Sequence, residues 1–350
     1  MLVIFSSLQP FAADRARVPN RDFVAGLVLA ALLCGCSTQA RDDVVSEARR
    51  HSERGFALLD QGALEPAREQ FEQAELLAAR DRDLVERARA LGGSGLYHET
   101  VRELERALQS YTEAEQCADA AGEPEQTFMA RLSRASCLGE MQRFDESLAL
   151  VQDAMAGASQ LSCWYQATGH QSLGLLHYAT KKFDLAYSEL AQARALFEMA
   201  HDPEGAALAN LLTAQLLERD QRCKDALNRF SVAKRQYSRM ADPDATTACL
   251  LGLARCYRQL GEPSIAQIWL NKALALTPPP AAPSRAEVLA LAIVIHAELG
   301  EQDAAAKARA ELNDLERTGP RPLPPRRRRA PPLAPPPKAN AGEAWQPVAE

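Results

Sequence analysis

Residues 202–243 read DPEGAALANLLTAQLLERDQRCKDALNRFSVAKRQYSRMADP, and four of them, Ala214, Ala226, Phe230 and Ala233, decide the fold. Offsets of four and seven from Ala226 put small, large and small side chains on one helical face. A second helix can then approach closely at the alanines and lock against the ring. The stretch opens on Asp202-Pro203 and the next opens on Asp242-Pro243. Each pair reads as an N-cap followed by a first helical position, where the missing N–H of proline costs nothing.

The same pattern recurs in both directions. Small residues stand at Gly55, Gly95, Ala135, Gly174, Ala214, Ala254 and Ala292, and twelve residues further on at Ala67, Ala107, Ser147, Ala186, Ala226, Ala266 and Ala304. Phe71, Tyr111, Val151, Leu190, Phe230, Leu270 and Ala308 follow by four, then Ala74, Ala114, Ala154, Ala193, Ala233, Ala273 and Glu311 by three more. A period near 40 residues held seven times is the mark of a solenoid rather than of separate domains. Pro124, like Pro203 and Pro243, falls ten residues after the third small residue of the preceding unit, so each opens the next repeat. The extra length of each unit falls after that third small position and is expected to extend the second helix by more than a turn. Ser284 and Glu287 have capping-box spacing at the start of the seventh unit. Glu311, in the last small slot, is expected to face water at a terminal cap.

This arrangement resembles the tetratricopeptide repeat, two antiparallel helices with small residues at three fixed positions, in its longer variety of about 40 residues. The resemblance implies an all-α, right-handed superhelical solenoid of about seven helix-turn-helix repeats, with six repeats over 44–277 and a seventh, capping repeat over 284–316. It also implies a concave groove lined by first helices. The groove-facing residues would include Leu132, Leu175, Leu211, Gln215, Leu251 and Arg255, flanked by Tyr178 and Arg258. Such a surface suits an amphipathic helix or a mixed apolar and acidic protein segment. The same leucines could instead pack against adjacent repeats. The Lys and Asn of a co-chaperone carboxylate clamp are absent from these positions.

Composition agrees with a helical body. Hydrophobic residues make up 47% of 350, charged residues 25% and aromatics only 6%, which excludes a wholly disordered chain and a polytopic membrane protein. The net charge is −6. Residues 36–316 hold 30 basic and 42 acidic groups, and 317–350 hold seven basic and two acidic. An acidic body is a poor nucleic-acid binder, so none is expected as a partner. The 317–350 segment has ten prolines and the run Arg326, Arg327, Arg328 and Arg329. It cannot form a core, is expected to be a disordered tail, and is the one place suited to polyanion contact.

At the other end, residues 23–33 with their flanks make an apolar run of about thirteen, the length of a signal-peptide core and short for a bilayer span. Leu33-Cys34-Gly35-Cys36 resembles the bacterial lipobox. By that resemblance residues 1–35 are a cleaved signal peptide, Cys36 is the lipidated N-terminus and 36–43 a tether. Ser37 in the following position favours the outer membrane, facing the periplasm. Met1 to Asn20 is long for a signal n-region, and a start at Val18 would give a short one with Arg21.

No catalytic pattern stands out in the sequence. There is no His-Glu-x-x-His, no Gly-x-Ser-x-Gly elbow and no zinc-spaced Cys-x-x-Cys pair. No metal or cofactor is expected. Gly92-Gly93-Ser94-Gly95 lies in a first helix, with Gly95 in a small slot, and reads as packing rather than phosphate binding. His98 and His177 share a register with Leu58, Leu138 and Leu217, which marks both as packing residues. Six cysteines outside the lipobox read mostly as small buried hydrophobes, although a disulfide between neighbouring repeats remains open in an exported chain. The expected function is a non-catalytic protein-interaction scaffold, lipid-anchored in the bacterial envelope. The alternative is a cytoplasmic repeat regulator of a signalling or motility protein.

Overall fold

A computed structural model describes residues 46–277 and 283–318. The described residues are all-α, with no strand among them. Fourteen helices form seven antiparallel pairs: α1 (Glu47–Asp60) with α2 (Leu64–Asp81), α3 (Leu84–Thr100) with α4 (Leu104–Ala121), α5 (Pro124–Glu140) with α6 (Phe144–Ala156), α7 (Cys163–Ala179) with α8 (Phe183–Met199), α9 (Pro203–Arg219) with α10 (Cys223–Arg239), α11 (Pro243–Gln259) with α12 (Pro263–Leu276), and α13 (Pro283–Glu298) with α14 (Gln302–Thr318). The 1–35 segment, the 36–43 tether and the tail beyond Thr318 lie outside the described residues, as do Cys36 and Arg326, Arg327, Arg328 and Arg329.

The small slots do what their spacing implies. Ala67, Ala107, Ala186, Ala226 and Ala266 are wholly buried, and Phe71, Val151 and Phe230 with them. Ser147 stands in for alanine because its hydroxyl donates to the Ala135 carbonyl across the helix pair at 2.6 Å. Glycines appear where a ring fills the gap. A β-carbon on Gly93 would lie 2.2 Å from the Phe71 ring, one on Gly95 2.5 Å from Tyr111 and one on Gly252 2.3 Å from Phe230. The run Gly92-Gly93-Ser94-Gly95 is thus helical packing surface.

Starts and stops are local. Asp202 caps α9 by accepting from the Glu204 and Gly205 amides, and Asp242 caps α11 by accepting from Ala245 at 3.0 Å. Proline holds the first position of α5, α9, α11 and α12. Each pair is joined by a left-handed turn residue, Gly62, Arg102, Gln142, Lys181, Gln221, Gly261 or Gly300. The turn is closed by a bond such as Ala63 N–H to Leu58 O at 2.9 Å. His98 and His177 supply the same carbonyl in their repeats, to Glu103 and Lys182.

Three expectations change in detail. The 40-residue period is shared between both helices rather than given to the second, since α9, α10 and α11 each run 17 residues. Proline starts the first helix well upstream of the small slot, Pro203 lying eleven residues before Ala214 and Pro243 eleven before Ala254. Ser284 is not an N-cap, because α13 already begins at Pro283. Glu311 does not simply face water, for it accepts from Arg285 Nε at 2.5 Å and so replaces the missing small-residue contact with a charge-assisted bond.

First helices form the inner layer. α9 buries thirteen of its seventeen residues, whereas α10 buries only Cys223, Ala226, Phe230, Ala233 and Tyr237. At most junctions consecutive first helices touch each other directly as well as their own partners, as α1 with α3 and α11 with α13 do, while second helices make no comparable contact with one another. The layer whose members crowd together is the concave one.

Candidate functional site

Inner-layer position decides what a partner could reach. Five of the expected groove residues, Leu132, Leu175, Tyr178, Leu211 and Leu251, are withdrawn from it. Leu132 packs with Phe128, Val151 and Leu176. Leu175 and Tyr178 pack with Leu208, Leu212 and Leu216. Leu211 lies in one cluster with Leu253 and Cys256, and Leu251 in another with Val288 and Leu289. Exposure of 2–5% leaves these side chains no surface for a ligand. The leucines belong to the core between repeats, because each packs against residues of the following first helix, as Leu175 does with Leu208 and Leu251 with Val288. Tyr178 is buried with them, and burial pushes its hydroxyl up to about 12.

Gln215, Arg255 and Arg258 stay half-exposed. They lie toward the C-terminal ends of α9 and α11, where charged residues link successive repeats along one edge. Arg255 forks onto Glu218, Nε to Oε1 at 2.6 Å and Nη2 to Oε2 at 3.1 Å. Arg258 donates to Glu298 of α13 at 3.1 Å. Nearer the N-terminus Arg102 donates to Glu140 at 2.6 Å, and Arg219 sits 5.9 Å above the Tyr178 ring. Burial opposes the charge on Arg255, but the field of Glu218 and its two hydrogen bonds outweigh that and hold the guanidinium protonated. Beside this pair a cleft of about 580 Å³ opens between repeats 5 and 6, lined by Glu218, Arg219, Gln221, Cys223, Gln259 and Leu260.

The edge is therefore polar and mixed in charge, not a greasy groove. Glu218, Glu140, Glu298 and Arg219 were missed from the sequence. A visible cue existed, since Arg102 and Glu140, Glu218 and Arg255, and Arg258 and Glu298 are opposite charges about one repeat apart. Among the described residues no group of His, Cys, Asp and Glu is placed to hold a metal ion, and no helix is long and apolar enough to cross a membrane.

Solved structures with the same backbone plan are helical-repeat proteins. A Rap protein complexed with competence and sporulation factor superposes with a TM-score of 0.57 at 15% identity, covering 78% of this chain and 75% of that one. A tetratricopeptide repeat protein from Parabacteroides merdae gives 0.50 at 17% identity, over 77% of this chain and 93% of that one. The fold is a tetratricopeptide-type solenoid. A signal-transduction ATPase from Pyrococcus horikoshii with a tetratricopeptide repeat sensor gives 0.62 at 10% identity, over 77% of this chain but only 43% of its own length. No family model and no curated protein matches the chain.

Proposed function

We propose that this solenoid is a non-catalytic adaptor, lipid-anchored through Cys36 in a bacterial envelope, that holds a protein segment along the inner edge of repeats 5 to 7. The observation that carries the binding half is the half-exposed set Gln215, Arg255 and Arg258, on the concave layer of a frame whose leucines are committed to the core. A groove of this kind recognises polar and acidic side chains. An incoming carboxylate competes with Glu298 for Arg258, and Gln215 offers its amide nitrogen as a donor while its Oε1 is buried. The fold shared with a Rap protein solved with a bound factor supports reading a solenoid of this kind as a holder of partners. The lipobox-like Leu33-Cys34-Gly35-Cys36 supports the anchor, and the two or three acyl chains of bacterial lipoproteins would make it stable at about 0.8 kcal/mol per buried methylene.

The test joins both halves. The N-terminal peptide from membrane-fractionated protein is weighed beside a Cys36→Ala control, and crosslinking in intact cells compares wild type with Arg258→Glu. Acylated Cys36 and a crosslinked protein lost in Arg258→Glu are expected. An unmodified N-terminus in the soluble fraction would replace the anchor with the cytoplasmic-regulator reading, and undiminished crosslinking would remove the edge from the site.

A further inference from the structure

Cys223 is the first residue of α10, and its sulfur lies 2.7 Å from Gln259 Oε1 on α11. Gln259 and Cys256 are three residues apart and share a helical face. That turns the Cys256 side chain toward the same thiol, and each of the two thiols influences the acidity of the other. Both belong to one buried cluster with Ala226 and Leu253. Cys223 also lines the cleft between repeats 5 and 6 and keeps 5% exposure, whereas Cys256 is wholly buried. Cys249, in the same cluster, is two turns away along α11, roughly 10 Å by helical rise, and is not placed to compete for Cys256.

We propose that Cys223 and Cys256 form a disulfide that ties α10 to α11 when the protein meets a thiol–disulfide oxidant, such as oxidised glutathione or a dithiol oxidase. The Cys223 thiolate attacks one sulfur of the oxidant, breaking its S–S bond and releasing one thiolate, which takes up a proton. The Cys256 thiol attacks the Cys223 sulfur, breaking the mixed disulfide, and its proton passes to the expelled second oxidant thiolate. Two protein thiols thereby give up two electrons and two protons, and the oxidant's disulfide becomes two thiols. Burial raises both protein thiols and slows the attack. The position of Cys223 at the start of a helix and its own backbone amide work the other way. The pairing follows from the placement of these two residues, and the poise of the surrounding thiol–disulfide couple sets whether it is closed.

The full-length reduced protein, incubated with oxidised glutathione and mapped by non-reducing peptide mass analysis, should yield the Cys223–Cys256 linked peptide, reversible by dithiothreitol. Cys256→Ser should trap glutathione on Cys223. Closing the chain between these positions should raise Tm by about 5 °C on oxidation, and Cys223→Ser should abolish that rise. Free thiols at both positions while the half-exposed Cys163 takes up glutathione would overturn the proposal. So would a lasting glutathione adduct on Cys223 in the wild type, or linkage to Cys249 instead.

Discussion

Replacing Gly252 with alanine asks whether a ring really sits at the junction between repeats 5 and 6. A β-carbon there would stand 2.3 Å from Phe230 Cε1 and Cζ and 2.7 Å from Cε2. Carbon–carbon contacts prefer roughly 3.5–4.0 Å, so the ring must retreat by more than about 1 Å. It has nowhere to go, being wholly buried with Ala214, Ala226, Ala233 and Leu253. Overpacking of this kind costs about 1–3 kcal/mol, and contact this close belongs at the upper end. The helix-propensity gain from Gly to Ala offsets about 1 kcal/mol of it. The net expectation is a loss of about 1–2 kcal/mol, read as a lower urea midpoint by circular dichroism. Adding Phe230→Leu to Gly252→Ala should restore part of that loss, a coupling of about 1 kcal/mol or more between residues in contact. Gly157→Ala is the control, because the nearest atom to a β-carbon there is the Ala154 carbonyl oxygen at 3.9 Å. If Gly252→Ala instead stabilises the protein as an unpacked helical glycine would, the ring is not seated between the repeats and the junction is wrongly built.

Asp242→Ala removes the cap of α11 and should cost about 1 kcal/mol in urea unfolding. Asp202→Ala should cost more, since its Oδ2 also accepts from Trp164 Nε1 at 2.9 Å; equal losses would refute the indole's contribution. Glu99 accepts from the Tyr111 hydroxyl at 2.8 Å, and burial raises its carboxyl above the ordinary 4.5. A raised carboxyl favours the folded state while protonated, so its contribution is full below the unfolded value and is lost as pH climbs through the raised one. Glu99→Gln should therefore gain on wild type as pH rises above 4.5, and a constant difference between the two unfolding curves would exclude this. Leu175→Glu and Leu211→Glu each bury an unpaired charge, so they should unfold the array by several kcal/mol; wild-type Tm in either variant would return these leucines to an open groove.

The helical pairs were legible because their evidence is periodic. Ala67, Ala107, Ala186, Ala226 and Ala266 recur at intervals no composition supplies by chance, and each is wholly buried. The division of each 40-residue unit was less so, although Asp202-Pro203 and Asp242-Pro243 already marked where first helices begin. Position along a period shows which residues share a face, but not how closely the next repeat covers it. Leu132, Leu211 and Leu251 share a face with the groove and are nonetheless sealed by the following helix, because the first helices crowd together on the inside of the curve.

What does distinguish covered from open positions is the polarity of one register. The residue directly after each first small slot is Phe56, Leu96, Ser136, Leu175, Gln215, Arg255 and, in the last repeat, Ile293. Where it is apolar and another repeat follows, it is buried: Phe56 at 1%, Leu96 at 4% and Leu175 at 5% exposure. Where it is Ser136, Gln215 or Arg255 it is half-exposed. Ile293 is half-exposed as well, in the last described helical pair. A packed junction disfavours a side chain that cannot shed its water, since an unpaired buried polar group is costly, a cost that Ser136 Oγ and Gln215 Oε1 already carry in part. The polar residues in this register thus mark where the inner edge opens, and they concentrate in repeats 5 and 6, beside the cleft at Cys223.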